Sequence, residues 1–223
     1  MIDLIKVKDR DEAQVKAHDI LKEIVDPLTL LALSGGRTPD YRKMIVEPAD
    51  INPGAICVVD ERYGEPFHEK SNELLLKNQG VKECTDDRCI EAHKILIGRD
   101  FLETGREYEK VMDDLFVRFK KRVGVMGIGA DLHTAGILPF STATKSPNYV
   151  EAQVVEDAFR ERITITLKAL GEFTSFVLMV LGDEKKEAVK KMLDEAENDM
   201  QKYPAIFYRK APIKSYLITD VKI

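Results

Sequence analysis

The sequence has no apolar run approaching the roughly 20 residues that cross a bilayer, and it has no excess of positive charge. Its 223 residues hold 34 Lys or Arg against 39 Asp or Glu, a formal net charge of −5. The first shortage excludes a membrane-spanning helix. The second argues against a general nucleic-acid binder, whose affinity comes largely from neutralising phosphates. A local basic pocket for one phosphate stays open. Cysteine is scarce too: Cys57, Cys84 and Cys89 cannot all pair within the chain, and their spacing matches no common zinc pattern. They read as reduced thiols of a cytoplasmic protein, with Cys57 a core filler inside an apolar run. The opening "MIDLIKVKDRDEAQ" turns charged at once and does not read as a secretory signal. Internal repeats, low-complexity linkers and a helix-turn-helix segment are also missing.

Two catalytic signatures are absent. Without a G-x-S-x-G elbow, the nucleophile of any hydrolysis is water rather than a side chain. Without a G-x-G-x-x-G followed by a well-placed acidic partner, a nicotinamide cofactor is disfavoured. What remains is the composition of a soluble globular protein, 44% hydrophobic and 33% charged. The length suits one α/β domain over residues 1–223.

Strand and helix patterns alternate along the chain. Residues 11–25 predict a helix with Ala17, Ile20, Leu21 and Ile24 on one face. Leu28–Leu33 predicts a strand, and 37–45 a helix capped by Thr38 with Pro39 in its first turn. Ala55–Val59 predicts the next strand, and Ser71 caps a short helix through Leu76. "VKECTDDRCIEAHKILIG" shows no clear period. From Thr104 an amphipathic helix turns Tyr108, Val111, Met112, Leu115 and Phe119 to one side. Further strands are predicted at Val123–Met126, from Arg162 ("RITITL"), at Ser175–Leu181 and in the closing "SYLITD", with a helix over "GDEKKEAVKKMLDEAE". The alternation predicts a doubly wound, mostly parallel sheet with helices on both faces, Rossmann-like in outline.

Ligands of such sheets bind beyond the carboxyl ends of the strands. Those ends carry "SGGRT", "DERYG", "GIGADLH" and "GDEK". Each admits two readings. Ser34-Gly35-Gly36 is a tight turn, or an anion cradle of backbone N–H groups beside a helix N-terminus. Asp60-Glu61-Arg62 is a solvated loop with a local ion pair, or part of a site. Lys185, like its neighbour Lys186, points to water or meets an anion, since a lysine in a first helical turn otherwise opposes the dipole. Arg162 is a strand-edge charge or a ligand. His133 stands out, because Asp131 two residues earlier can fix its tautomer and raise its basicity. His18, His68 and His93 read as surface histidines.

Five stretches occur in one order over most of the chain: "SGGRTP" (34–39), "DERYGEPFHEKSN" (60–72), "GIGADLHTAGILP" (127–139), "RITIT" (162–166) and "GDEKKEAV" (182–189). In them the sequence resembles the 6-phosphogluconolactonase family, within the wider group that includes glucosamine-6-phosphate isomerase/deaminase. "GREYEKVMDDL" and "SYLITD" are similar too. The resemblance implies hydrolysis of 6-phosphogluconolactone to 6-phosphogluconate in the pentose phosphate pathway, with no cofactor and no metal. The partner is a small-molecule sugar phosphate, and the protein a monomer or small homo-oligomer. His133 is then the acid/base group and Asp131 its support. Asp60 and Arg62 line the sugar-phosphate site, with Ser34, Arg37 and Thr38 of the first motif. Gly35 and Gly36 offer backbone N–H groups, and Arg162 and Lys185 form the phosphate clamp.

Two residues depart from the family's usual pattern: Arg37 stands where serine is usual, and Leu132 where glycine is usual. If position 132 is left-handed, leucine costs about 1–2 kcal/mol there and threatens the placement of His133. Two other functions compete. An isomerase/deaminase typically carries a further carboxylate shortly after its histidine, and residues 134–145 contain none. A non-catalytic sugar-phosphate sensor would keep the clamp and lose the chemistry.

Overall fold

The structure, a computed structural model, describes residues 1–222. Its strands are β1 (Ile2–Lys6), β2 (Thr29–Leu33), β3 (Ala55–Val58), β4 (Asp60–Arg62), β5 (Glu91–His93), β6 (Lys121–Gly127), β7 (Val150–Val154), β8 (Glu161–Ile165), β9 (Ser175–Met179) and β10 (Lys214–Thr219). The α-helices are α1 (Arg10–Ile24), α2 (Asn72–Asn78), α3 (Val81–Asp87), α4 (Phe101–Arg118), α5 (Leu167–Leu170), α6 (Lys186–Leu193) and α7 (Phe207–Lys210). Seven strands form one sheet in the order β1-β10-β9-β6-β2-β3-β5. Every neighbouring pair in it is parallel. Successive residues of a strand point to opposite faces, so burial of every residue of β2 and of β3 means that both faces of the sheet are covered there.

Local chemistry starts and stops the elements. Asp9 caps α1 by accepting the Glu12 N–H at 2.9 Å, and Ala13, Ala17 and Leu21 bury its inner face. Ser71 caps α2 through the Leu74 N–H at 3.0 Å. Helix α4 opens on Asp100, earlier than the pattern predicts, and buries Tyr108, Met112 and Leu115. The aperiodic stretch after Gly80 holds α3 and the edge strand β5.

Several expectations need correction; Asp60–Arg62, placed in a loop by the sequence, forms the short strand β4. The predicted helix over 37–45 is reduced to one π-helical segment, Arg42–Val46, and Thr38 caps nothing. Side chains of other elements take the backbone groups that a helix would have used. Gln14 of α1 donates to the Thr38 carbonyl at 3.0 Å and accepts the Asp40 N–H at 2.9 Å, while Gln79 accepts the Tyr41 N–H at 2.6 Å. The strand at "RITITL" is real but lies outside the parallel sheet. It is β8, the middle strand of a separate three-stranded antiparallel sheet, β4-β8-β7, and it ends before Thr166, which caps α5.

Glu61, which the sequence leaves open to a solvated-loop or a site reading, is fully buried. Its carboxylate accepts three backbone N–H groups, from Arg62 (2.8 Å), Asn72 (2.8 Å) and Glu73 (2.9 Å). Two of those open α2, so the side chain ties the small sheet to that helix. Burial pushes its pKa up to about 8, against the three N–H donors that pull it down. Glu61→Ala would leave three donors without an acceptor, those of Asn72 and Glu73 buried and that of Arg62 partly so. Each such group costs about 1–3 kcal/mol, so the variant is expected to lose about 3 kcal/mol or more in urea unfolding. An unchanged midpoint would show that the carboxylate is dispensable.

Candidate active site

Strands β2 and β6 lie side by side, and the chain order reverses between them: β3 and β5 extend the sheet on one side, β9, β10 and β1 on the other. Such a reversal leaves a crevice at the carboxyl ends of the strands. A cleft of about 400 Å³ occupies it, lined by Ser34, Gly35, Gly36, Arg37, Thr38, Asp60, Arg62, His133, Arg162 and Lys185. Of the residues given a site role from sequence only Asp131 is missing from this lining, and its carboxylate bonds His133.

His133 is positioned by the turn after β6. The Leu132 N–H donates to the Gly129 carbonyl at 3.0 Å, and the Gly129 N–H to the His133 carbonyl at 2.8 Å. The Thr134 hydroxyl pins the segment to the Gly127 carbonyl at 3.1 Å and to the Tyr208 hydroxyl at 2.7 Å. Nδ1 of His133 lies 2.6 Å from Oδ1 of Asp131. Burial pushes the Asp131 carboxyl up, but its bond and charge contact with His133 outweigh that and hold it below its ordinary value. An ionised carboxylate only accepts, so it places the proton on Nδ1 and leaves Nε2 as the basic nitrogen. Gly129 makes this approach possible: a Cβ there would sit 2.2 Å from Nδ1.

Leu132 is left-handed, with φ 67°. It does not displace His133, because its side chain is only 3% exposed and packs in the core, and its carbonyl accepts the Ala205 N–H at 2.9 Å.

The antiparallel sheet delivers the charged wall. Its register sets Asp60 opposite Thr164 and Arg62 opposite Arg162. The backbone bonds Ile165 N–H to Val59 O and Tyr63 N–H to Glu161 O mark the alternate positions as the hydrogen-bonded pairs. Arg62 and Arg162 are therefore a closely spaced non-hydrogen-bonded pair on the face that also carries Asp60. Arg162 is nearly buried. It donates to Asp157 and to the Phe159 carbonyl (3.3 Å), and its guanidinium lies 3.9 Å from Asp60. Arg62 donates to the Lys70 carbonyl at 2.7 Å and lies over the Phe159 ring. Burial pushes the Asp60 carboxyl up, while Arg62, Arg162 and His133 pull it back.

The opposite wall is the loop after β2. The N–H groups of Gly35, Gly36, Arg37 and Thr38 have no partner among the described residues. Because the next helical segment begins only at Arg42, a cradle here rests on these N–H groups and not on a helix N-terminus. Gly36 is left-handed at φ 97°, and a Cβ on Gly35 would fall 1.9 Å from Oδ1 of Asn72. The Arg37 carbonyl accepts from Arg10, while its guanidinium, like the Lys185 ammonium, has no protein partner among the described residues.

Asn72, Asp157 and Phe159 also line the cleft and were not singled out from sequence. Asn72, which donates to the Asp60 carbonyl at 2.8 Å, closes a recognised motif and could have been found there. Asp157 and Phe159 belong to no motif. The other histidines are half-buried rather than superficial: His18 bonds the Met44 carbonyl, His68 the Arg62 carbonyl, and His93 the Glu91 carboxylate. Among the described residues, no group of three or more His, Cys, Asp or Glu is placed to hold a metal ion, and no helix is long and apolar enough to cross a membrane.

Leu132→Gly separates strain from burial. The substitution relieves about 1–2 kcal/mol of left-handed strain but removes a buried leucine worth about 2–5 kcal/mol. A net loss of about 2 kcal/mol is expected, read as a lower Tm. A higher Tm would show that backbone strain dominates.

The family profile described as glucosamine-6-phosphate isomerases/6-phosphogluconolactonase matches residues 12–215. A 6-phosphogluconolactonase of Neisseria meningitidis serogroup A is 30% identical over 189 residues, covering 78% of this chain and 77% of that protein. Two solved structures share the fold. A 6-phosphogluconolactonase from Plasmodium vivax superposes with a TM-score of 0.82 at 21% identity, covering 100% of this chain and 90% of the other. A monomeric glucosamine-6-phosphate deaminase superposes with a TM-score of 0.80 at 18% identity, covering 97% of each. The profile spans most of the length of this sequence, and the chain belongs to the glucosamine-6-phosphate isomerase/6-phosphogluconolactonase family.

Proposed function

We propose that this chain hydrolyses 6-phosphogluconolactone to 6-phosphogluconate, as a cytoplasmic enzyme whose residues 1–223 act as one domain. The observation that carries the reading is the pairing of the Asp131–His133 dyad with a cation-rich cleft. Four cationic side chains, Arg37, Arg62, Arg162 and Lys185, line the space that His133 faces, with two carboxylates, Asp60 and Asp157. A dianionic phosphate suits that balance, and binding it there orients the lactone ring toward Nε2.

The chemistry follows from the groups present. Nε2 takes a proton from water as the water oxygen bonds to the lactone carbonyl carbon. Negative charge then develops on the former carbonyl oxygen, which the free N–H groups of the Gly35–Thr38 loop are suited to stabilise. Collapse of the tetrahedral intermediate breaks the bond to the ring oxygen, which receives the proton from the imidazolium. Asp131 stabilises the imidazolium throughout.

The isomerase/deaminase branch shares the fold. Against it, residues 134–145 carry no carboxylate, and the carboxylates lining the cleft are Asp60 and Asp157 alone. Lactone hydrolysis above the spontaneous rate, with glucosamine-6-phosphate assayed in parallel, decides between them. His133→Asn should lower kcat by about 10²–10⁴-fold while phosphate affinity stays within about twofold. Loss of thermal stability with unchanged turnover of the folded protein would reduce His133 to a packing residue. Absence of hydrolysis in the wild-type protein would leave the sugar-phosphate sensor as the better reading.

A further inference from the structure

Arg162 meets the cleft with part of its guanidinium already engaged. Its guanidinium is nearly buried, and it donates to Asp157 and to the Phe159 carbonyl while lying beside Asp60. A buried guanidinium must keep an anionic or hydrogen-bonding partner, because leaving it unpaired costs several kcal/mol. The Nη1 side, which makes no hydrogen bond, is open to an incoming anion, but contact with Nη2 is contested by the carboxylate already there. Asp60 is poorly suited to leave: it lies in β4, is 6% exposed, and its backbone carbonyl is held by Asn72. Asp157 is held less firmly, although its Oδ1 accepts the Ala158 N–H at 2.7 Å. It sits in the short connection between β7 and β8, closed at its base by the Val155 N–H to Arg160 carbonyl bond at 2.8 Å, and its side chain is 38% exposed. Both Asp157 and Phe159 of this connection line the cleft, and Phe159 covers Arg62.

We propose that Asp157 is an internal competitor for the phosphate anchor: its carboxylate occupies the position on Arg162 that the phosphate takes, and the phosphate displaces it. This rests on the lactonase reading and adds to it a residue that sets affinity without touching the reacting atoms. In the empty cleft Asp157 keeps Arg162 paired and pointed inward. When the dianion arrives, the carboxylate moves toward solvent, which is open to it because the side chain is already partly exposed. When product leaves, the carboxylate returns, so Arg162 is not left unpaired in either state. The exchange lowers the apparent affinity for phosphate and eases product release. It does not alter the chemistry at Nε2.

Two variants test it, with inorganic phosphate as the probe in calorimetric titration of the full chain. Asp157→Asn removes the competing charge and should tighten phosphate binding about three- to tenfold. KM for 6-phosphogluconolactone should fall in parallel, while kcat holds or drops slightly as release slows. Asp157→Glu restores a carboxylate and should return the affinity toward that of the wild type. Thermal unfolding of each variant without phosphate confirms a folded protein, and added phosphate should raise the Tm of Asp157→Asn more than that of the wild type. If Asp157→Asn binds phosphate equally or more weakly, Asp157 is a scaffold for Arg162 and the inference fails. A wild type that hydrolyses the lactone and binds phosphate, beside an unchanged Asp157→Asn, defeats the inference alone. A wild type that does neither defeats the functional reading and this inference with it.

Discussion

The cleft depends on one electrostatic constraint: two arginines set directly across from each other on the inward face of a small antiparallel sheet. The register that pairs Arg62 with Arg162 puts them at a non-hydrogen-bonded position, where opposite side chains are closest. Like charges so placed repel. The surroundings answer with Asp60 on the same face, Asp157 at the rim, the Lys70 and Phe159 carbonyls, and the Phe159 ring. What results is a wall of positive charge that the protein balances only in part, facing a loop of free backbone N–H groups. Glu61 supports this arrangement from behind. By holding the first N–H groups of α2 it fixes the sheet that carries the arginines to the helix that supplies Asn72.

The second constraint is steric and acts on the turn after β6. Gly129 leaves room for Asp131 and His133 to meet, and no larger residue fits. Leu132, three residues on, adopts a backbone conformation that leucine disfavours. Magnitudes explain why it persists. Left-handed strain costs about 1–2 kcal/mol, against about 2–5 kcal/mol for losing a buried leucine side chain. The core under the turn thus tolerates local strain, and the imidazole keeps its bond to Asp131.

Much of this was legible in the chain. Apolar runs of strand length, each ending in glycine or charge, specify a parallel α/β sheet, because such runs bury on both faces and leave their polar ends at one edge. The recognised motifs also hold most of the residues that line the cleft, though not those of the β7–β8 connection or the end of β9. Local pattern failed where backbone groups found partners far away in sequence. Residues 37–41 look helical, yet Gln14 and Gln79 take up their hydrogen bonds. Glu61 admits a solvated-loop reading, yet α2 encloses it.

The identity of β2, β3, β6, β8, β9 and β10, the turn glycines, and the pairing of Asp131 with His133 two residues apart were determined by sequence, since each follows from the geometry of a few consecutive residues. The opposition of Arg62 to Arg162, the reach of Asp157 into the cleft, and the burial that makes a left-handed Leu132 acceptable were decided only by tertiary structure. They depend on strands and loops that meet across many residues of intervening chain, where register and burial emerge from packing and no local pattern records them.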